Sequence, residues 1–284
     1  MSVRFLKNVL PVFSAALFLA CGGPDEAIEK NLRQHVLFFS NFEKGVDALD
    51  GEGAPLADFD TANTNHITTG GNPDGYLQFN AGAGALSYPA QANFPYKANQ
   101  AWSGSVAFWL SINPSEFEAD YPEPFHIGKR VSGDFPWDDA VMFIDFKKSE
   151  NALRFGCYPN KTQEISDQMV SDRVISVPAN WKGDQWHHIT ITWTNFNSGK
   201  SDATWSLYID GELKGKKGPI AQQLTWDIEN TIMRFNHYKF PGKIDEIAIF
   251  SKALNKDEIK YLTAPKQPLN KLFYKKGERR SSSY

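Results

Sequence analysis

Between residues 35 and 263 apolar and polar side chains alternate with a period of two, and nothing else in the chain constrains its fold as tightly. Val106, Phe108, Leu110 and Ile112 fall on one side of a run whose other side carries Ala107, Trp109 and Ser111. Ile189, Ile191 and Trp193 alternate with His188, Thr190, Thr192 and Thr194, and Trp205, Leu207 and Ile209 with Thr204, Ser206, Tyr208 and Asp210. Successive side chains of an extended chain point to opposite faces, so each run predicts a strand with one buried and one polar face. Asp210-Gly211 predicts a two-residue hairpin, because that turn needs positive φ at both central positions. Further strands are expected at 36–42, 76–80, 85–89, 141–147, 152–158, 173–177, 231–236 and 243–250. One short helix is expected, with Asn255 as N-cap, Glu258 as its capping partner and Ile259 and Leu262 as the buried stripe. So many short strands with one helix predict an all-β, two-sheet antiparallel jelly-roll sandwich and exclude TIM-barrel and dinucleotide-binding folds. With 41% hydrophobic and 14% aromatic residues, the chain can fill such a core.

The ends read differently. Arg4 and Lys7 precede an uncharged, mostly apolar run over 9–20, too short for a permanent span of about 20 residues, so 1–20 reads as an export signal. Ala20-Cys21 at its end resembles the lipobox of bacterial lipoproteins. That resemblance implies acylation of Cys21 as the mature N-terminus and attachment to an envelope membrane, with Gly22 favouring the outer one; firm attachment takes more than one chain. Residues 21–34 are small and polar and read as a tether, whereas 264–284 read as a basic disordered tail carrying +5. Setting aside that tail and the +2 of the signal turns the chain's net −3 into −10 on the body, which disfavours nucleic acid as a partner. The two cysteines exclude a disulfide framework, and once Cys21 is acylated Cys157 is the sole remaining thiol.

Three stretches resemble the laminin G-like, concanavalin A-like sandwiches over most of 35–263: Val36-Leu37-Phe38-Phe39-Ser40-Asn41-Phe42-Glu43, then Gln185 to Trp193 with Tyr208-Ile209-Asp210-Gly211-Glu212, then Phe240 to Phe250 with Ala253-Leu254. The resemblance implies that fold. It also implies a calcium ion, with Asp245 as ligand and Glu43, beside Asn41 on the opening strand, as its neighbour; such a cation takes oxygen ligands. Asp134, Asp138 and Asp139 read instead as a solvated acidic loop.

The same sandwich serves lectins, adhesion modules, hydrolases and lyases, so function rests on site residues. Glu118-Ala119-Asp120-Tyr121-Pro122-Glu123 has the E-x-D-x-x-E spacing of the family 16 glycoside hydrolases, in which two glutamates of one strand face a cleft. Pro122 interrupts it and Pro114 and Pro124 flank it, so an exposed acidic loop without catalytic residues is expected. A lyase would want a Tyr/His pair beside a basic clamp, and sequence does not bring His66, His126 and His237 together. His187 and His188 are expected to pack against the sheet. Trp102, Trp109, Trp186, Trp193 and Trp205 are expected in the core. Saccharide recognition needs aromatic faces and planar polar groups on loops, which the insertions 116–137 and 234–240 offer through Tyr121, His126, Trp137, His237 and Tyr238. The expectation is a non-catalytic envelope lipoprotein binding a polysaccharide or glycoprotein. The alternatives are a polysaccharide-degrading hydrolase or lyase of this fold, and a structural or adhesion lipoprotein with a protein partner.

Overall fold

The computed structural model describes residues 24–264 apart from 52, 132 and 184. The export signal, Cys21 and all but the first residue of the basic tail lie outside that range. Fifteen strands form in chain order: β1 (Val36–Ser40), β2 (Asp50–Gly51), β3 (Thr64–Ile67), β4 (Tyr76–Phe79), β5 (Leu86–Pro89), β6 (Trp102–Ser111), β7 (Glu123–Gly128), β8 (Val141–Lys147), β9 (Ala152–Tyr158), β10 (Val174–Pro178), β11 (His187–Phe196), β12 (Ala203–Ile209), β13 (Glu212–Ile220), β14 (Ile232–Tyr238) and β15 (Lys243–Phe250). Among the described residues three α-helices accompany them: α1 (Pro24–His35), α2 (Asp167–Arg173) and α3 (Lys256–Leu262).

The strands make the expected antiparallel sandwich. A nine-stranded sheet runs β13-β12-β11-β6-β15-β1-β2, with β4 joining β15 and β3 joining β4; a six-stranded sheet runs β10-β9-β8-β7-β14-β5. Period-two alternation turns one side of each sheet inward. Val106, Phe108, Ile191, Trp193 and Trp205 of the larger sheet meet Phe125, Ile144, Phe155 and Phe235 of the smaller one in a single core. Asp210 and Gly211 close the β12–β13 hairpin with φ of 54° and 78°, the two positive values that turn requires. The α3 cap forms as read: the Asn255 side chain accepts from the Asp257 and Glu258 N–H groups, Glu258 accepts from the Asn255 N–H, and Ile259 and Leu262 are buried.

Two helices were not expected. The stretch read as a polar tether is helical from Pro24, with Asp25 and Glu26 at its positive end and Arg33 and His35 at its negative end. Only Ile28 and Leu32 give it an apolar stripe, too little for the pattern to register. They pack with Phe39, Phe250 and Ile259 on the outer side of the larger sheet, and the Tyr261 hydroxyl donates to Glu29 at 2.8 Å. On the opposite sheet, Ser166 caps α2, and Met169 and Val170 cover an outer patch of Val141, Phe143, Tyr158 and Val174. No helix among the described residues is long and apolar enough to cross a membrane.

A polar cluster on the outer face of the six-stranded sheet

Residues 118–122 form the expected loop, but Glu123 does not belong to it and opens a strand instead. β7 begins at Glu123, and Pro124, lacking an N–H, occupies its second position. Its neighbour β14 is bulged at the same level: the register slips between Phe235 and Tyr238, and Asn236 has a φ of 57°. A bulge leaves ladder positions unpaired, which is where proline is tolerated in a sheet. The Asn236 side chain holds the bulge by donating to the Ala83 and Gly84 carbonyls and accepting from the Phe240 N–H.

This irregularity resets the alternation of both strands and puts unusual residues on one face. Glu123 and His126 lie three apart, as do Arg234 and His237, yet all four converge outward while Phe125, Met233 and Phe235 go to the core. His126 Nδ1 is hydrogen-bonded to Glu123 Oε1 at 2.9 Å, and His237 Nε2 lies 3.9 Å from Glu123 Oε2. The two imidazoles stack with centroids 4.0 Å apart, and Phe135 meets both edge-on. The Arg234 guanidinium lies 4.3 Å from the Phe135 ring centre. On β8 and β9, Arg154 grips Asp145 through two parallel bonds of 2.7 and 2.6 Å and stacks on Tyr121 at 4.8 Å. Gly156 leaves room for the Phe143 ring, which a β-carbon there would strike at 2.2 Å. A groove of about 510 Å³ continues from this cluster between Arg234, Phe135 and Arg130 and the segment 56–58.

Burial sets the protonation of the cluster. It pushes Glu123 well above the usual carboxylate range, although Arg234 and Arg154 pull the other way. Burial, reinforced by Arg234, holds His126 down to about 3. His237 falls to about 2, through burial first and then His126 and Arg234. Near neutral pH both imidazoles are therefore uncharged, beside a carboxyl that resists ionisation.

Of the ligand candidates read from sequence, His126, His237 and Tyr121 come together here. The insertions at 116–137 and 234–240 are thus corrected: each contains a strand of the sheet, and His126 is a buried floor residue instead of a loop group. Tyr121 is 44% exposed, Tyr238 43% and Trp137 63%; Trp137 stands apart, edge-on to Tyr158 at 6.3 Å. Glu118 is an exposed loop carboxylate as expected, whereas Glu123 lies on a strand with its side chain only 13% exposed, which corrects the loop reading for Glu123 alone. Asp138 pairs with Lys161 and Asp139 with Lys129. Trp102, Trp193 and Trp205 are in the core; Trp109 and Trp186 are half-buried on the outer side of the larger sheet, a correction. His188 is buried edge-on against Trp109, and His187 stacks on Trp181 at 4.3 Å. Sequence reasoning missed Arg154, Asp145 and Arg234, whose only signal was their outward phase on predicted strands.

Asp245 and Glu43 also come together, behind the 70–75 loop. Asp245 is buried, accepts the Asn72 N–H at 2.6 Å and the Glu246 N–H at 2.7 Å, and is pushed well above the carboxylate range by burial, with Glu43 and Asp74 adding to the rise. Glu43 Oε1 is buried without a hydrogen-bond partner among the described residues.

The model of the concanavalin A-like lectin/glucanases superfamily matches residues 97–260, from the approach to β6 through most of α3, including the whole polar cluster. The chain belongs to this superfamily. Among solved structures, this superfamily member is similar in fold to the botulinum neurotoxin type G receptor binding domain, with a TM-score of 0.54 and 14% identity over 80% of this chain and 50% of that one. It is similar too to the serotype D binding domain, with a TM-score of 0.56 and 14% identity over 83% of this chain and 52% of that one. The neuronal pentraxin receptors of Mus musculus and Homo sapiens share 40% identity over 58 residues, which is 20% of this chain and 11% of theirs. The matches therefore span about a tenth of those receptors and about half of the toxin domains.

Proposed function

We propose that the outer face of the six-stranded sheet binds an anionic saccharide without altering it. The observation that carries this reading is the stacking of Arg234 on Phe135 in the wall of an open groove that Arg130 also lines, with the exposed Tyr121 ring stacked under Arg154 elsewhere in the same cluster. A guanidinium recognises a carboxylate or sulfate through its planar fork, and an exposed ring takes the apolar face of a sugar. The neighbouring toxin domains bear the name of receptor-binding domains, and the superfamily's name includes lectins, which agrees with a binding role. In affinity electrophoresis through a uronate polysaccharide gel, the parent should be retarded and Arg234→Ala and Tyr121→Ala should each lose about five- to thirtyfold in affinity, the equivalent of roughly 1–2 kcal/mol. Equal mobility of all three proteins in charged and neutral gels would overturn the reading.

A catalytic alternative is favoured by one observation: Glu123 is a carboxyl held above its ordinary range beside two neutral imidazoles, as a proton donor would be. Oligosaccharide release by the parent, lost in Glu123→Gln, would replace the binding reading with this one.

The fold resemblance implies calcium at Asp245: Glu43 and Asp74 lie near enough to raise its pKa further and offer the oxygen ligands a hard cation takes, although the three do not close into one donor set in this structure. Stabilisation of about 2.7 kcal/mol is expected at a hundredfold excess of calcium over its dissociation constant, and Asp245→Ala should abolish it. An unmoved melting temperature in a chelator titration would return Asp245 to a purely internal role. We also propose a lipid anchor at Cys21: Cys21→Ser should leave the protein out of the detergent phase, and unchanged partitioning would refute it.

A further inference from the structure

We propose that Glu123, His126 and His237 bind one divalent transition-metal ion of the zinc type, with a coordination position left open on the outer side of the sheet. The inference stands apart from saccharide binding and from the calcium reading.

The donor set decides the class of ion. Two imidazole nitrogens and one carboxylate suit zinc, cobalt or nickel; calcium and magnesium prefer all-oxygen surroundings. One donor atom of each residue lies within 4.8 Å of the other two, and no further group of three or more His, Cys, Asp or Glu side chains meets that standard among the described residues. In a tetrahedral site with bonds of about 2.0–2.1 Å, neighbouring donors stand about 3.3 Å apart. Here His126 Nδ1 is 2.9 Å from Glu123 Oε1, and His237 Nε2 is 3.9 Å from Glu123 Oε2. Side-chain shifts of about an ångström would bring these spacings to the ideal.

Backbone and burial also suit the ion. Glu123 and His126 come from the start of β7 and His237 from the bulge of β14, so the donors are set by paired strands of a sheet and not by a loop. His126 Nε2 and His237 Nδ1 are buried without hydrogen-bond partners among the described residues. These are the ring nitrogens opposite the ones that face Glu123, so they are not the donors, and both Nδ1 of His126 and Nε2 of His237 stay directed at the carboxylate. Three protein donors are the number typical of sites that retain an exchangeable outer ligand. Arg234 and Arg154 face the same cluster, and with Asp145 already engaged by Arg154 the local charge favours an anionic outer ligand, such as hydroxide or a carboxylate.

Tag-free protein, stripped with a chelator, is dialysed against zinc chloride and separately against cobalt chloride. The parent should retain one ion per chain, show the visible absorption of a low-coordinate cobalt centre, and melt at a higher temperature with zinc than without. His237→Ala, at a partly exposed position, and Glu123→Gln should each weaken zinc binding by at least about tenfold while keeping the far-ultraviolet circular dichroism of the parent. His187→Asn, which removes a histidine paired with Asp210 elsewhere in the molecule, should bind like the parent. Failure of the parent to retain either ion overturns the proposal, as does full retention by both cluster variants.

Discussion

Arg154→Ala is expected to destabilise the domain by about 3–5 kcal/mol, the cost of leaving a buried charge without its partner. The Asp145 side chain is 8% exposed and that of Arg154 12%, so water does little to replace the lost fork. Burial already pushes the Asp145 carboxyl up to about 6 against the pull of Arg154, so its charge depends on that guanidinium. For a domain of this size the melting temperature should fall by roughly 2–4 °C per kcal/mol, or on the order of 10 °C. The double change Arg154→Leu with Asp145→Leu removes both charges and should recover most of the loss, because apolar residues often replace a buried pair without penalty. A single variant within about 1 kcal/mol of the parent in urea unfolding would show that the pair is effectively solvated.

Acid should weaken the protein through His188. This ring is buried against Trp109, and burial lowers its pKa to about 4, with Asp210 pulling the other way. The unfolded chain takes up that proton near pH 6.5, whereas the folded state does so only near pH 4. Stability from the neutral ring is therefore complete above pH 6.5 and lost progressively as pH falls to about 4. The loss amounts to about 3 kcal/mol, because each pH unit between those two protonation points contributes roughly 1.4 kcal/mol. His188→Asn should be less stable than the parent at pH 7 and lack this component, so the gap between the two should narrow by about 3 kcal/mol by pH 4. A gap of constant size across that range would mean the ring titrates normally in the fold. Because carboxyls such as Glu123 and Asp245 shift in the opposite sense, the comparison has to be made between variant and parent and not from the parent's curve alone.

Local signals were legible and long-range compensations were not. Strands β8, β9 and β15 were bounded to the residue by alternation, the β12–β13 turn by Asp210-Gly211, and α3 by its capping box, because each signal lies within a few neighbouring residues. Strand β7 was missed because Pro122 and Pro124 are strand breakers by any local rule, and the bulge that accommodates Pro124 is formed by Asn236 on another strand. The cluster was hidden for the same reason, since both strands break their alternation where they supply Glu123, His126 and His237. Trp109 is a different case: the pattern that sends Val106 and Phe108 inward already sends Trp109 outward, and a place in an alternating strand does not by itself bury a side chain. Helix α1 has only Ile28 and Leu32 to announce it, and its place is decided by the partner surface of Phe39, Phe250 and Ile259.

That pairing of α1 with α3 gives the domain a front and a back. The described chain enters at Pro24 and leaves at Ala264, and the two helices nearest these points lie side by side on the outer side of the nine-stranded sheet. Glu123, Arg154 and Arg234 look out from the other sheet, with the full core in between. Whatever is joined to either end of the described chain, be it an acyl group, a surface or another domain, is thus attached behind the cluster. A surface holding the protein by its ends would present that face outward, toward approaching partners, leaving no need for the molecule to turn over before it can engage them.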